Sequence, residues 1–386
     1  MKKQIIALAV ASTMLVAFHP VASAQGGNEL LDRAVAPAVE QTEVISSSLT
    51  LEQQERILAD IKEQLQAKYG SVYKLDNFSA TFEAPVVEDH MIYIDLNVDA
   101  DMTLTRHPAD SPYVQGMEAA LAEVTEDSER ELAQLEIDNF LQEVEPYYNT
   151  PSPSAFLYRI QLDSGNELNT NSLSSIDENS SYELFHRADI TEEEAILTPV
   201  KPAETLDESS ASELGRQSIQ SAISSTNQLS QVMKAAVSYD RIAARDYALD
   251  HGLDEPEFSK ANNMGSDCAN FVSKALRAGG FPVDKAGKWY PSPKAGSYAG
   301  ENWMRTGYYN NGGVVPYMVD KGYFYKQTKQ NKVNAGSILS RTDTSHVALV
   351  TYGDGSVIKY TEHSNVKVKK TNVVYAGEKA EFYMPN

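Results

Sequence analysis

The sequence predicts an α+β protein built from two domains, and three observations lead to this prediction. The chain has 386 residues, more than one small domain usually contains. Both helical and strand periodicities occur between residues 49 and 200. The composition changes at about Tyr239, after which aromatic residues, glycine and lysine become frequent. Apolar residues make up 42% of the chain, which is sufficient for packed cores.

The first 24 residues have the features of an export signal. Lys2 and Lys3 give a positive start, residues 5–18 are apolar but too few for a stable membrane span, and residues 22–24 form a small-residue cleavage site. We therefore predict a signal peptide at residues 1–24 and a secreted protein, extracellular or associated with the cell wall. A retained membrane anchor is the alternative. No later stretch is apolar enough to predict a membrane span after cleavage.

The mature chain divides into four segments. Residues 25–48 are polar and rich in alanine, which indicates a flexible lead-in. Residues 49–200 form the predicted N-terminal domain, an α+β unit of unknown role. Residues 201–234 are rich in Ser, Glu, Gln and Ala, which predicts a linker that can be partly helical. Residues 235–386 form the predicted C-terminal domain.

The periodicity of the N-terminal domain predicts helices packed on an antiparallel sheet. Thr50 and Gln53 have the spacing of a capping box at the start of a helix whose apolar positions are Leu51, Leu58, Ile61 and Leu65. Every even position from Ile92 to Leu104 is apolar, which predicts a strand with one buried face. One long acidic helix over 113–146 and short strands over 155–162 and 182–188 complete the predicted domain.

The charge distribution argues against a nucleic-acid partner. The net charge is −21; residues 1–234 hold 14 Lys+Arg and 39 Asp+Glu, whereas residues 235–386 hold 19 and 15. A nucleic-acid-binding domain usually has a strongly basic surface, which neither part supplies.

Cys268 is the single cysteine, so it cannot form an internal disulfide. It lies in a segment, residues 265–280, that begins with the candidate caps Ser266 and Asp267 and ends with two glycines, a pattern typical of a helix. A thiol in the first helical turn is more acidic, because the helix dipole favours an anion there. From its position alone, Cys268 is either a nucleophile or an inert buried residue.

A cysteine nucleophile needs a base, and His346 is the candidate. It opens a predicted strand over 346–352, which is followed by a turn signal and a returning strand over 357–363. A two-residue turn at Asp354-Gly355 places His363 opposite His346. A shift of one residue places Glu362 there instead, so either residue is a candidate to orient the imidazole.

The order of motifs in the C-terminal domain resembles the "putative amidase domain" family of secreted bacterial proteins. The motifs that carry the resemblance are residues 239–248, 262–263, 267–273, 278–280, Trp289, 301–303, 336–338, His346 and 363–365. The family is similar to papain-like cell-wall hydrolases of the NlpC and CHAP types. The resemblance implies a papain-like C-terminal domain, with a cysteine-bearing helix packed on an antiparallel sheet. Cys268 is then the nucleophile, His346 the base, and the third residue a polar side chain on the following strand. Ala269 and Lys274 depart from the family's usual threonine and glutamine.

These observations predict a secreted cysteine amidase or peptidase that forms a thioester acyl-enzyme. Its partner is an amide or peptide substrate, for which peptidoglycan is a candidate. Tyr247 and Asn263 are candidates for oxyanion or substrate contacts. We expect no cofactor and no metal, because the histidine spacing matches no zinc motif. The alternatives are a non-catalytic cell-surface binding protein with the same fold and an acyl transferase with the same residues.

Overall fold

The structure is a computed structural model of the whole chain. It describes residues 49–88, 91–163, 182–189, 195–201, 208–229, 239–258, 267–291, 303, 313–328, 330–341, 346–363, 371–374 and 378–386. The predicted signal peptide and lead-in lie outside these residues, as does Asn263.

The N-terminal part of the chain alternates helices with long strands. Its elements are α1 (Leu51–Tyr69), β1 (Tyr73–Phe82), β2 (Val86–Glu88), β3 (Met91–Leu104), α2 (Pro112–Glu123), α3 (Asp127–Val144), β4 (Ser152–Asp163), β5 (Tyr182–Asp189), β6 (Ala195–Pro199) and α4 (Glu208–Leu229). Strands β1, β3, β4, β5 and β6 pair antiparallel in that order, and β2 extends along β3.

The C-terminal part places its helices first and its strands last. Its elements are α5 (Arg241–His251), α6 (Cys268–Ala278), α7 (Val314–Asp320), β7 (Phe324–Gln327), β8 (Ile338–Arg341), β9 (His346–Gly353), β10 (Ile358–Thr361), β11 (Asn372–Val373) and β12 (Ala380–Pro385). These strands pair antiparallel in the order β11-β10-β9-β8-β12-β7. Helices α5 and α6 pack on each other and on β9. The α+β prediction is therefore confirmed for both parts, including the cysteine-bearing helix on an antiparallel sheet.

The described strands form one sheet of 12 that runs through both parts of the chain, because β11 pairs with β4 in parallel. Asn372 lies opposite Ala155, and the Ala155 N–H donates to the Thr371 carbonyl at 2.7 Å. The sequence does not predict this pairing.

The first helix and the long strand β3 follow the sequence pattern closely. The Thr50 side chain accepts from the Gln53 N–H while the Gln53 side chain accepts from the Thr50 N–H, so the capping box is confirmed. Ile61 and Leu65 are buried as predicted, but Leu51 is 71% exposed and Ile57 is buried in its place. In β3 all of the even positions are buried, which confirms the predicted core face.

The prediction of one long helix over 113–146 is wrong, because this segment forms two helices. Helix α2 ends at Glu123, Val124 adopts an extended conformation, and α3 begins at Asp127. Residues 125–130 are all polar, so the chain loses no apolar burial by turning there. The Arg130 side chain donates to the Val124 carbonyl at 2.9 Å and pairs with Asp127, which fixes the turn.

The predicted linker over 201–234 contains helix α4, which packs closely on α2. Glycines lie at the contact on both helices. A Cβ atom at Gly116 would lie 1.9 Å from the Ser212 carbonyl oxygen, and one at Gly215 would lie 1.9 Å from the Tyr113 carbonyl oxygen. The segment has few large apolar residues because the two backbones approach each other directly. Part of the predicted linker is therefore a helix that packs on the N-terminal part of the chain.

This close approach predicts that Gly215→Ala destabilises the protein. A glycine-to-alanine change within an unobstructed helix stabilises it by up to about 1 kcal/mol. Here the new methyl group meets backbone atoms, so we expect a loss of about 2–3 kcal/mol. Urea unfolding measures the difference, with Ser224→Ala on the exposed side of α4 as the control. Stabilisation of Gly215→Ala would show that the two helices are not in contact.

The turn between β9 and β10 is inserted into the core of the N-terminal domain. Tyr352 and Val357 belong to the same buried cluster as Tyr73 and Tyr113. The Tyr73 and Tyr352 hydroxyls are 2.9 Å apart, and Tyr73 also donates to the Asp354 carboxylate. The hairpin turn is therefore part of the N-terminal core, whereas helix α6 and the start of β9 belong to a separate buried cluster.

Glu143 of α3 forms a second buried contact between the domains. Its carboxylate pairs with Arg241 at 3.1 Å and accepts from the Ala335 N–H at 2.5 Å. Burial raises the pKa of Glu143 to about 7, against the opposing effect of Arg241 and the backbone donor.

Among the described helices, none combines the length and apolar character that crossing a membrane requires.

Candidate active site

Cys268 is the first residue of α6, as the sequence predicts, and it has no exposed surface. The helix packs through Phe271, Val272, Ala275 and Leu276 into a buried cluster that includes Val347 and Leu349 of β9. This packing brings the start of the helix to the start of the strand. The N–H groups at the start of α6 and the dipole of the helix favour a negative charge on the Cys268 sulfur.

His346 is the first residue of β9, and it interacts with Cys268. The imidazole Nε2 pairs with the Glu362 carboxylate, and both side chains are 1% exposed. Burial opposes the charged ring, but the negative charges of Glu362 and Cys268, with the hydrogen bond to Glu362, outweigh it and raise the pKa of His346 to about 9. The arrangement therefore favours the charged imidazolium form of His346.

Glu362, and not His363, is the third residue in contact with this pair. The carboxylate of Glu362 binds His346 through one oxygen and accepts from the Asn372 side-chain amide at 3.2 Å through the other. The assignment of His363 opposite His346 is wrong in this geometry. The alternative of Glu362 corresponds to the contact that the structure contains.

The register of the β9–β10 hairpin explains the correction. The Asp354 carboxylate accepts from the N–H groups of Ser356 and Val357 at 2.8 and 2.7 Å, so the turn is longer than two residues. Gly353 consequently pairs with Ile358, and an irregularity between Lys359 and Tyr360 shifts the register again, so that Thr361 pairs with Leu349. Continued by one pair, this register places Glu362 on the sheet face of His346, diagonally across from it, and His363 on the other face. Neither feature follows from the Asp-Gly turn signal alone.

His363 has a different set of partners. Its Nδ1 lies 2.7 Å from the Asp267 carboxylate, and its Nε2 donates to the His251 carbonyl at 2.8 Å. Its ring stacks on Phe271 with the centroids 4.1 Å apart. His363 therefore ties the start of α6 to the end of α5, which is a structural role.

Asp267 and Asn270 form a buried polar network beside the cysteine. Asp267 precedes α6 but makes no capping bond to it; its carboxylate instead accepts from the Phe258 N–H and the Asn270 side chain, at 3.2 and 2.8 Å. Asn270 accepts from the indole of Trp303 at 3.1 Å. The network fixes the helix start that carries Cys268.

The other predicted contacts of the site are only partly described. Tyr247 lies in α5, with its ring centroid 4.3 Å from that of His251 and 6.5 Å from that of Phe271. Asn263 lies outside the described residues. Within the described ranges, no three His, Cys, Asp or Glu side chains are grouped so that they could hold a metal ion.

Asn372 is the residue of the site that the sequence analysis missed. It lies in β11, is 2% exposed, and pairs through its backbone with Tyr360 on one side and Ala155 on the other. The only local signal is a polar residue between short apolar runs, which is common in loops. Its partner Glu362 is identified only when the sheet order is known.

Comparison with known families supports an amidase domain in this part of the chain. Residues 238–384 match the family model described as "Putative amidase domain". The C-terminal domain is similar to that amidase family. The matched range contains Cys268, His346, Glu362 and Asn372, whereas the N-terminal domain lies outside it. No curated protein and no solved structure matches the chain.

The family match supports a hydrolase that acts on amide bonds. This coarse activity agrees with the chemistry of the site, because amide hydrolysis by acyl transfer needs a nucleophile, a base that returns its proton, and a group that orients the base.

Proposed function

We propose that the protein is a secreted cysteine amidase or peptidase whose nucleophile is Cys268. The observation that supports this proposal is the buried chain of contacts from Cys268 through His346 to Glu362. A cysteine with a purely structural role needs neither an imidazole beside it nor a carboxylate behind that imidazole. The three side chains come from α6, β9 and the residue after β10, so the fold itself assembles them.

The reaction proceeds in two acyl-transfer steps. The Cys268 thiolate attacks the amide carbonyl, and the backbone N–H at the start of α6 stabilises the oxyanion. His346, as imidazolium, donates its proton to the departing amine, and a thioester to Cys268 remains. Water then attacks the thioester while His346 accepts a proton, which releases the carboxylic acid and restores the thiolate–imidazolium pair. Glu362 keeps the ring oriented and stabilises its charge in both steps.

The substrate class and the location follow from sequence features. The export signal at residues 1–24 supports secretion, and the resemblance to papain-like cell-wall hydrolases supports amide bonds in peptidoglycan peptides as the substrate. The relation to the NlpC and CHAP types belongs to this proposal. An amine acceptor in place of water would make the same site an acyl transferase.

The pH dependence of two reactions tests the proposed nucleophile. Because the charged form of His346 is stabilised, its pKa is raised to about 9, and the imidazolium persists through neutral pH. Amide hydrolysis needs this proton for the leaving amine, so we expect the rate to fall as the pH rises through about 9. Alkylation of Cys268 by iodoacetamide needs only the thiolate, so we expect it not to fall there. Below pH 7 we expect alkylation to continue where a free thiol, with a pKa of about 8.5, has stopped reacting.

The shape of the alkylation profile is the decisive measurement, because Cys268 is fully buried and its absolute labelling rate also depends on access. Mass spectrometry of the labelled peptide follows alkylation, and the release of new amines from purified peptidoglycan follows hydrolysis. A Cys268 profile identical to that of a free thiol, also in His346→Ala, would overturn the assignment. The expected alkylation profile of Cys268, without release of amines from any amide substrate, would favour the alternative of a non-catalytic cell-surface binding protein.

A further inference from the structure

Strand β11 connects the N-terminal domain to the proposed catalytic residues. It lies between β4 and β10 in the sheet, so its two neighbours belong to different domains. On the β4 side, Asn372 lies opposite Ala155, and the Ala155 N–H donates to the Thr371 carbonyl at 2.7 Å. On the β10 side, Asn372 lies opposite Tyr360, two residues before Glu362. The register therefore directs the side chains of Asn372 and Glu362 to the same face of the sheet.

The Asn372 side chain uses this placement to donate to Glu362. Its amide nitrogen lies 3.2 Å from Oε1 of Glu362, while Oε2 of the same carboxylate binds His346. Glu362 is 1% exposed and Asn372 is 2% exposed, so water is not a ready substitute for this donor. A buried carboxylate depends on such donors to stay ionised and in place.

The N-terminal domain also holds the opposite end of the same hairpin. The Tyr73 hydroxyl binds the side chains of Tyr352 and Asp354 at the turn, and the Lys359 ammonium donates to the Ser152 hydroxyl at 3.0 Å. Tyr147 adds a bond to the Thr351 carbonyl at 3.4 Å. The hairpin that carries His346 and leads to Glu362 is thus fixed along its length by a domain that the amidase family match does not include.

We propose that the N-terminal domain positions the catalytic carboxylate, and that Asn372 is the positioning residue through which β4 acts on Glu362. This inference rests on the proposed function. Asn372 touches neither the thiol nor the imidazole, so it acts only through Glu362. The N-terminal domain is then a part of the working enzyme rather than a detachable module.

Asn372→Ala in the full-length protein tests the proposal. Loss of a hydrogen bond to a charged group predicts a fall in kcat of about 10- to 100-fold with little change in KM. Loss of the donor leaves the Glu362 carboxylate less firmly oriented towards His346, although the residues that bind substrate are unchanged. We therefore expect the loss to lie in kcat rather than in KM. Asn372→Leu, which keeps the volume and lacks the donor, gives the same result if the alanine variant does not fold.

Tyr73→Phe is the matched control, since it removes buried hydrogen bonds at the same domain interface without touching Glu362. We expect it to lower the Tm and to leave kcat near that of the wild type. A wild-type kcat in Asn372→Ala and Asn372→Leu, or a fall of kcat in Tyr73→Phe equal to theirs, would overturn the inference and leave the proposed function intact. A wild-type protein whose Cys268 titrates as a free thiol would overturn the proposed function itself.

Discussion

Replacement of Cys268 by alanine is expected to abolish amide hydrolysis while leaving the fold unchanged. The sulfur is the atom that bonds to the substrate, so no neighbouring group can take over the acylation step. Removal of a nucleophile that works as one unit with its base typically costs on the order of 10⁴- to 10⁶-fold in kcat. The side chain is small and lies in the first turn of α6, so the cavity left by alanine is small too.

The serine variant separates the chemistry of the sulfur from its packing. Cys268→Ser keeps the shape of the side chain, but His346 cannot ionise a hydroxyl as it does a thiol, so we expect activity near that of Cys268→Ala. Ser273→Ala serves as the control, because it changes a buried side chain of the same helix. The Ser273 hydroxyl accepts a hydrogen bond from the indole nitrogen of Trp289 at 3.2 Å. We expect this variant to be less stable than the wild type and to keep a kcat within about 10-fold of the wild-type value. Loss of its activity would show that any change in α6 is sufficient to inactivate the enzyme. Full activity in Cys268→Ser would exclude cysteine chemistry.

The elements that carry the proposed site could be predicted because their signals are local. The glycine pair after Ala278 and the apolar stripe from Phe271 to Leu276 define α6, and the apolar run after His346 defines β9. The first residues of both elements carry the two reacting side chains. Each of the two elements can be predicted from its own residues, and the site then requires only that the buried faces of α6 and β9 pack on each other.

The third residue could not be predicted, because it depends on two features outside the strand pattern. The Asp354 carboxylate lengthens the turn, and the irregularity at Lys359 and Tyr360 shifts the pairing that follows. The resulting register pairs Thr361 with Leu349, so it brings Glu362 to the sheet face of His346, diagonally across from it, and turns His363 to the other face. The turn itself is fixed by Tyr73, a residue of the other domain.

The pairing of strands between the two domains could not be predicted from the sequence either. The β4–β11 pairing joins segments that are far apart in the chain, and β11 has only two residues, too few to show a periodicity. Helix α4 was hidden for a different reason. Its contact with α2 is made at Gly215 and Gly116, whereas predictions from periodicity look for large apolar residues.

Replacement of Glu362 by glutamine is expected to reduce kcat by roughly 10²- to 10⁴-fold, since loss of the orienting carboxylate of a triad has effects of this size. Glutamine keeps the shape but removes the charge that opposes the burial of the His346 ring. Burial is then opposed less strongly, so the pKa of His346 falls from about 9. The alkaline limb of the hydrolysis profile therefore moves to lower pH, and NMR titration of the His346 ring follows the same change directly.

His363→Gln is the matched comparison, because the two neighbouring residues were equal candidates for the same role. His363 binds Asp267 and the His251 carbonyl, so its replacement loosens the start of α6 without altering the charge at His346. We expect a lower Tm and an alkaline limb that stays in place. The opposite result, an unshifted limb in Glu362→Gln and a shifted one in His363→Gln, would assign the orienting role to His363.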